Sequence, residues 1–217
     1  MGRIVVITGT DTGVGKTWVG CRLAEELRAR DINVRTVKLV ETGTPVEPTD
    51  DEDGARLATA AGQDAPRHAL RRYRTAVAPS EAADLEQRPL DINVVEQEMA
   101  AIVQGAKVTI VEGAGGLFSP FTWRRNLLDV ALRHRAPVLV VAADRLGTVN
   151  HTLLTLGMLD FSGARYLGVV MNALPGQDDP ARGLNANALR KVQPGLRVVE
   201  TGSGNGWVDE VLEWFRE

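Results

Sequence analysis

The sequence predicts a single α/β domain across residues 1–217, built on a mostly parallel sheet with helices on both faces. Three observations carry that expectation. Short runs rich in Val and Ile alternate with stretches of helical spacing, the pattern of repeated strand–helix units. The runs are apolar on successive residues instead of every second one, as in strands covered on both sides. The 217 residues also amount to about one domain, when a domain holds roughly 150.

In chain order, strands are expected at Ile4–Thr8, Val34–Val37, Val108–Val111 and Val138–Val141, with Leu167–Met171 as a fifth. Helical spacing runs through Trp18–Arg30, Val94–Gln104, Leu127–Arg133, Thr148–Leu159 and Ala186–Val192. A glycine-rich loop, Gly202–Gly206, precedes a short amphipathic helix at Val208–Phe215. The segment Leu39–Leu90 is less regular, and an insertion of that length usually carries function. Within it, Asp53 leads into the helical Gly54-Ala55-Arg56-Leu57, and Asp50, Asp51 and Glu52 are expected as a solvated helix N-terminus. The basic stretch Arg67–Arg74 is expected as a solvated face or a subunit contact.

Composition excludes several classes of function. With 25 Lys plus Arg against 28 Asp plus Glu, the net charge of -3 offers no broad basic footprint, so no nucleic-acid partner is expected. The one cysteine, Cys21, cannot close an intramolecular disulfide, and its apolar helical setting suits a small core residue. The longest apolar run, Ala136–Ala143, is far short of the ~20 residues of a membrane helix, and the chain enters a strand at once instead of a signal peptide. A cytoplasmic protein with no membrane partner is expected. The four tryptophans, Trp18, Trp123, Trp207 and Trp214, are expected as core or interface residues.

The first strand runs into Gly9-Thr10-Asp11-Thr12-Gly13-Val14-Gly15-Lys16-Thr17 and then a helix, the order a phosphate-binding P-loop requires. Glycines let backbone N–H groups converge on phosphate oxygens, and the helix N-terminus adds partial positive charge. Lys16 reaches the outer phosphates, and the Thr17 hydroxyl suits Mg²⁺. The first glycine sits one residue earlier than in the strict pattern, so this is a variant loop of a P-loop NTPase-type fold. Partitioning and cell-division ATPases resembling the ParA and MinD groups carry a second lysine where this chain has Asp11.

Phosphoryl transfer needs carboxylates for Mg²⁺ and further cations on the moving phosphate. Glu112 closes the third strand and opens the flexible Gly113-Ala114-Gly115-Gly116, beside the crevice where ligands of such sheets bind. Asp53 is the best metal candidate of the acidic run. Lys38 ends the second strand, followed by Glu41-Thr42-Gly43, which sets a cation and a hydroxyl near the same edge.

Four motifs together resemble the dethiobiotin synthetase family: the loop Gly9–Thr17, Lys38-x-Val40-x-Thr42-Gly43, Glu112-Gly113-Ala114-Gly115-Gly116, and Gly147-Thr148-Val149-Asn150-His151-Thr152. They occur in the family's order over most of the chain. The resemblance implies an ATP-dependent cyclo-ligase of biotin synthesis, acting as a homodimer. In that reaction 7,8-diaminononanoate takes up CO₂, the carbamate takes the γ-phosphoryl group, and the second amine closes the ureido ring, leaving dethiobiotin, ADP and phosphate. By the matching positions, Thr17, Asp53 and Glu112 would hold Mg²⁺, and Lys16 and Lys38 would stabilise the carbamate and the transferring phosphate. Nucleotide contacts would come from Gly13, Val14, Gly15, Lys16, Thr17 and Trp18, from Asp53, and from Glu112, Gly113, Ala114 and Gly115. Asn172 would read the adenine, Thr12 and Thr42 would touch the diamine end, and Asn150 would receive the substrate carboxylate across the dimer interface. The chain departs from the family pattern at Leu39 and Ala76, where prolines are usual, and in the tail Val199-Glu200-Thr201-Gly202-Ser203. The alternative is a nucleotide-switch protein or a diverged paralogue without synthetase activity.

Overall fold

A computed structural model describes residues 2–176, 179–204 and 206–216. The elements are, in order, strand β1 (Arg3–Gly9), helix α1 (Lys16–Ala29), β2 (Val34–Lys38), β3 (Val40–Thr42), α2 (Asp53–Ala61), β4 (Arg71–Tyr73), α3 (Pro79–Leu85), α4 (Ile92–Val103) and β5 (Val108–Gly116). They continue with β6 (Pro120–Thr122), β7 (Arg125–Asn126), α5 (Leu127–His134), β8 (Val138–Ala143), α6 (Thr148–Ser162), β9 (Tyr166–Asn172), α7 (Asn185–Val192), β10 (Val198–Glu200) and α8 (Gly206–Trp214).

Six strands form the central sheet in the order β10-β9-β8-β1-β5-β2, every pairing parallel. Strand alternation divides the core into two layers. Val5, Ile7, Ile110 and Val141 pack under α1, α2 and α8, while Val6, Val111, Val140 and Met171 pack under α4, α5, α6 and α7. The five apolar runs are all strands of this sheet, and helices cover both faces as the sequence implies.

The helix ends follow local chemistry. Asp91 accepts the Asn93 N–H at the start of α4, and Asn126 with Asp129 forms a reciprocal capping box on α5. The helix at Pro79–Leu85 and the strand Val198–Glu200 were not marked by apolar periodicity, because both are too short to repeat it. Thr201–Ser203 form a short 3₁₀ turn, and Asn205 of the expected glycine-rich loop lies outside the described residues.

The irregular segment is bound together by its own charges. Glu52 is not solvated: it is buried, pairs with Arg72 at 2.6 Å and accepts the Thr49 N–H at 2.8 Å. Arg67 meets Asp50, and Arg71 meets Glu98. The acidic run and the basic stretch are therefore partners, a pairing that neither half reveals in isolation. At the sheet edge, the Gln63 amide accepts the Thr36 N–H and donates to the Thr36 carbonyl, so β2 presents fewer free backbone groups there. No described helix is long and apolar enough to cross a membrane.

Of the tryptophans, Trp207 and Trp214 are buried, as expected of core residues, whereas Trp18 and Trp123 are exposed. Trp18 stacks on Trp207 with ring centroids 5.6 Å apart, and the Trp123 indole donates to Asp84. Cys21 is half-buried in α1, where burial raises its thiol pKa to about 12 and leaves it a poor nucleophile.

Candidate active site

The site is built where β1, β2 and β5 end. After β1 the chain turns through the glycine loop into α1, whose first residue is Lys16. Gly15 sits at φ 92°, and a Cβ there would lie 2.0 Å from the Asn172 side-chain nitrogen, so only glycine fits both the backbone and its neighbour. The helix start at Lys16 instead of Trp18 places the lysine and Thr17 on the N-terminal turn itself.

Register does the rest. Lys38 of β2 lies directly beside Glu112 of β5, and the two-residue period sends both side chains to the sheet face under α1 and α2. Thr17 enters from α1 and Asp53 from the start of α2. The Lys38 ammonium bridges Asp53 Oδ2 at 2.7 Å and Glu112 Oε1 at 2.5 Å, and Thr17 Oγ1 donates to that same Glu112 oxygen at 2.8 Å. Glu112 is fully buried, and its Oε2 has no hydrogen-bond partner.

This ionic cluster perturbs its members. Burial alone pushes Lys38 down, but the Glu112 and Asp53 carboxylates outweigh it and hold the lysine above its ordinary value. Burial pushes Asp53 up, and Lys38 carries it below the usual carboxylate range. Lys16 is lowered by burial, against the pull of Glu112 and with the help of Lys38. Lys16 Nζ donates to the Asp11 carbonyl at 3.2 Å, leaving two of its three donors for a ligand.

These residues line a cavity of about 280 Å³. Thr12, Gly13, Gly15, Lys16, Thr17, Trp18, Lys38, Thr42, Asp53, Ala114 and Gly115 all border it. Glu112 and Gly113 lie just beneath, buried in the middle of β5, which does not close at Glu112 as the sequence implies but runs on through the glycines to Gly116, where pairing with β1 at Gly9 prolongs it. Val14 is buried, and its carbonyl accepts the Asn172 amide at 2.9 Å. The Asn172 oxygen in turn accepts the Thr201 hydroxyl at 3.0 Å, so each end of the amide retains capacity for one further bond. Asn150 is the exception. It stands exposed on the first turn of α6 and does not border the cavity.

Two bordering residues were not singled out by the sequence, Glu41 and Arg56. Glu41 accepts the backbone N–H of Asp53 at 2.7 Å and of Gly54 at 3.0 Å, capping α2 from twelve residues upstream. Burial raises its carboxyl pKa, against those two N–H donors. The signal was weak because a capping residue is sought next to its helix, and this one lies across a loop. At Leu39, where the resembled family usually has proline, the N–H donates to the Glu112 carbonyl at 3.0 Å and ties β2 to β5 past the last register pair, a bond that proline could not make.

The donor set suits Mg²⁺. Thr17, Asp53 and Glu112 present hard oxygens, one of them the orphaned Glu112 Oε2, and two carboxylates beside a phosphate cradle match the way Mg²⁺ is usually held.

Comparison with known proteins agrees with the geometry. A family model described as an AAA domain matches residues 3–199. The ATP-dependent dethiobiotin synthetase BioD of Anaeromyxobacter dehalogenans is 39% identical over 193 residues, covering 88% of this chain and 85% of that protein. The protein of the same name from Mycobacterium sp. strain KMS is 39% identical over 208 residues, covering 93% and 89%. Among solved structures, a ParA family ATPase from Chlorobium tepidum matches with a TM-score of 0.58 at 14% identity, covering 99% of this chain and 89% of that one. The hydrogenase maturation factor HypB from Archaeoglobus fulgidus matches at 0.53 and 13%, covering 99% and 90%. Those two show the P-loop NTPase-like fold alone; by its sequence relatives, the chain belongs to the dethiobiotin synthetase family.

Proposed function

We propose that this protein is an ATP-dependent cyclo-ligase that makes dethiobiotin from 7,8-diaminononanoate, CO₂ and ATP. The observation that carries the reading is the cluster of Lys16, Lys38, Thr17, Asp53 and Glu112 around one cavity at a P-loop, in a chain whose relatives bear that name.

In the first step an amine nitrogen attacks CO₂ and loses a proton to solvent, giving a carbamate. A carbamate oxygen then attacks the γ-phosphorus of ATP and ADP leaves, which gives a carbamic-phosphoric anhydride. In the last step the second amine attacks the carbamoyl carbon, phosphate leaves, and the nitrogen sheds its proton as the ureido ring closes. The protein's part is positioning and charge neutralisation. Backbone N–H groups of Gly13, Val14 and Gly15 cradle the phosphates, aided by the N-terminus of α1. Lys16 neutralises charge on the outer phosphates. Lys38 donates to the carbamate and to the oxygens of the moving phosphoryl group, in a setting of low dielectric that strengthens both contacts. Bound Mg²⁺, held by Thr17, Asp53 and Glu112, would neutralise phosphate charge.

Thr12 and Thr42 border the cavity and would offer their hydroxyls to the diamine end, and the free capacity of Asn172 suits an adenine edge. The substrate carboxylate is left to Asn150 of a second copy in a homodimer. Two features support that arrangement: α6 exposes Leu154 and Phe161 on one side with Asn150, and Phe118 lies exposed beside Leu154 in a groove behind the P-loop.

The test is phosphate release from Mg-ATP with and without 7,8-diaminononanoate and bicarbonate, with CTP and GTP run alongside. Release that needs both substrates is the expected result; slow hydrolysis indifferent to the diamine would mark a nucleotide switch instead.

A further inference from the structure

The charges that border the cavity do not all find partners inside the protein. Asp53 is paired with Lys38, and Lys38 is shared with Glu112. Lys16 and Arg56 border the cavity with no ion pair among the described residues, two cations suited to the anionic phosphates of a nucleotide. Glu41 is left as the one bordering carboxylate without a cationic partner among the described residues. Each of its oxygens accepts a single backbone N–H, so each keeps lone-pair capacity for another donor. Thr42, the next residue, borders the same space, as does Thr12 from the P-loop. An anion facing a ligand cavity is matched by a cationic ligand group, and no part of ATP supplies one.

Building on the synthetase reading, we propose that Glu41 binds the ammonium of the diamine's second nitrogen, the one that waits while the first becomes a carbamate. The two hydroxyls of Thr12 and Thr42 complete the cradle, and the backbone bonds from α2 hold the carboxylate still, so little freedom is lost when the ammonium arrives. The contact places the waiting nitrogen on the Lys38 side of the cavity, where the anhydride forms; before ring closure the ammonium gives one proton to solvent, the freed lone pair attacks the carbamoyl carbon as phosphate leaves, and the second proton is shed from the new C–N bond. It also makes the site selective for a diamine over a monoamine of the same chain length, because a carboxylate facing an absent ammonium is left uncompensated.

Capping of α2 is the competing role, and two variants separate it from ammonium binding. Glu41→Gln removes the charge and keeps one of the two acceptors that cap α2; Glu41→Ala removes both acceptors as well as the charge. Steady-state phosphate release with 7,8-diaminononanoate, direct titration of nucleotide binding, and thermal unfolding are measured on each. The expected result for Glu41→Gln is a rise of about tenfold or more in KM for the diamine, the loss of one charge-assisted hydrogen bond, with nucleotide affinity near the parent's and an unfolding temperature between those of the parent and Glu41→Ala. Carbamate formation on a monoamine analogue that lacks the waiting nitrogen, followed with labelled bicarbonate, should be higher in Glu41→Gln than in the parent, because the uncompensated charge is gone. An unchanged diamine KM in Glu41→Gln would overturn the assignment, as would a loss confined to Glu41→Ala and accompanied by a lower unfolding temperature, which is the signature of a cap alone. Absence of diamine-stimulated phosphate release in the parent protein would overturn the synthetase reading and this assignment with it.

Discussion

The cluster at the ends of β1, β2 and β5 and the outer face of α6 differ in how complete they are. In the first, Lys38, Thr17, Asp53 and Glu112 are cross-bonded, and Lys38 and Glu112 are buried. In the second, Leu154 is 65% exposed and Phe161 86%, with Asn150 in solvent beside them. A group that stabilises developing charge must be fixed before the reaction, so the phosphoryl-transfer end is organised within one chain. A group that recognises the far end of a substrate can be completed by assembly. On the proposed function, the contrast separates nucleotide chemistry from substrate anchoring, and variants at each region test whether one can be broken without the other.

The largest break is at Lys38. Lys38→Ala removes the cation shared by Asp53 and Glu112, and synthesis is expected to fall by at least about a hundredfold, the scale of losing one preorganised donor to the reacting group. It also strands a buried carboxylate, which costs about 3–5 kcal/mol of stability. The double variant Lys38→Ala/Glu112→Gln neutralises that carboxylate and should recover much of the unfolding temperature but none of the phosphate release. An unfolding temperature that does not recover would show that the stranded Glu112 carboxylate is not the source of the instability in Lys38→Ala.

The next break is on α6. Leu154→Glu with Phe161→Glu places charge on the exposed stripe, and on the proposed homodimer sedimentation should report a dimer for the parent and a monomer for this variant. Nucleotide binding should hold, while KM for the diamine rises by about tenfold through loss of the carboxylate contact. A monomer with the parent's KM would remove α6 from the substrate site.

This division also decides how much the sequence could tell. The P-loop, Lys38, Asp53 and Glu112 were legible because each sits at the junction of a strongly patterned element with a glycine or a helix start, where local chemistry fixes position. The central strands were legible for the same reason, since apolar runs such as Val138–Val141 have no other stable place than a covered sheet. Glu41 was hidden because its meaning comes from a helix twelve residues on, and the burial of Glu52 because its partner, Arg72, is twenty residues away. The small parallel pairing of Val40–Thr42 with Arg71–Tyr73 was hidden likewise: three residues a side are too few for a pattern. Trp18 misled in part, for a large aromatic in an apolar helix suggests core, yet its ring stacks on Trp207 at the surface.

A milder variant sharpens the nucleotide side. Asn172→Ala removes the donor to the Val14 carbonyl and the acceptor for Thr201, and loosens the loop at the point where Gly15 presses on the amide. Stability should fall by about 1 kcal/mol and KM for ATP should rise, by up to about tenfold. Thr201→Val cuts the second bond, together with the one that the Thr201 hydroxyl accepts from the Ala173 N–H, and leaves the bond to Val14 in place, so the rise should be smaller; equal effects would mean that the bond to Val14 contributes nothing.

The smallest expected effect is on pH dependence of stability, and it comes from the same cluster. Asp53 is held below its ordinary value of 3.8 by Lys38, so its contribution is present above that value and is lost as pH falls through the lowered one. Lys38 is held above its ordinary 10.5, so its contribution is full below that value and is lost only as pH rises through the raised one. Between these limits the Lys38–Asp53 pair adds no slope. Urea midpoints followed from about pH 7 down to about pH 3 should therefore drop on the acid limb, and less steeply in Lys38→Met, where Asp53 has lost the cation that depresses it. The Asp53 side chain is 38% exposed, which keeps the difference modest. The α6 variants, which leave the cluster intact, should follow the parent's acid limb; a change there would mean that the two regions are coupled through the sheet.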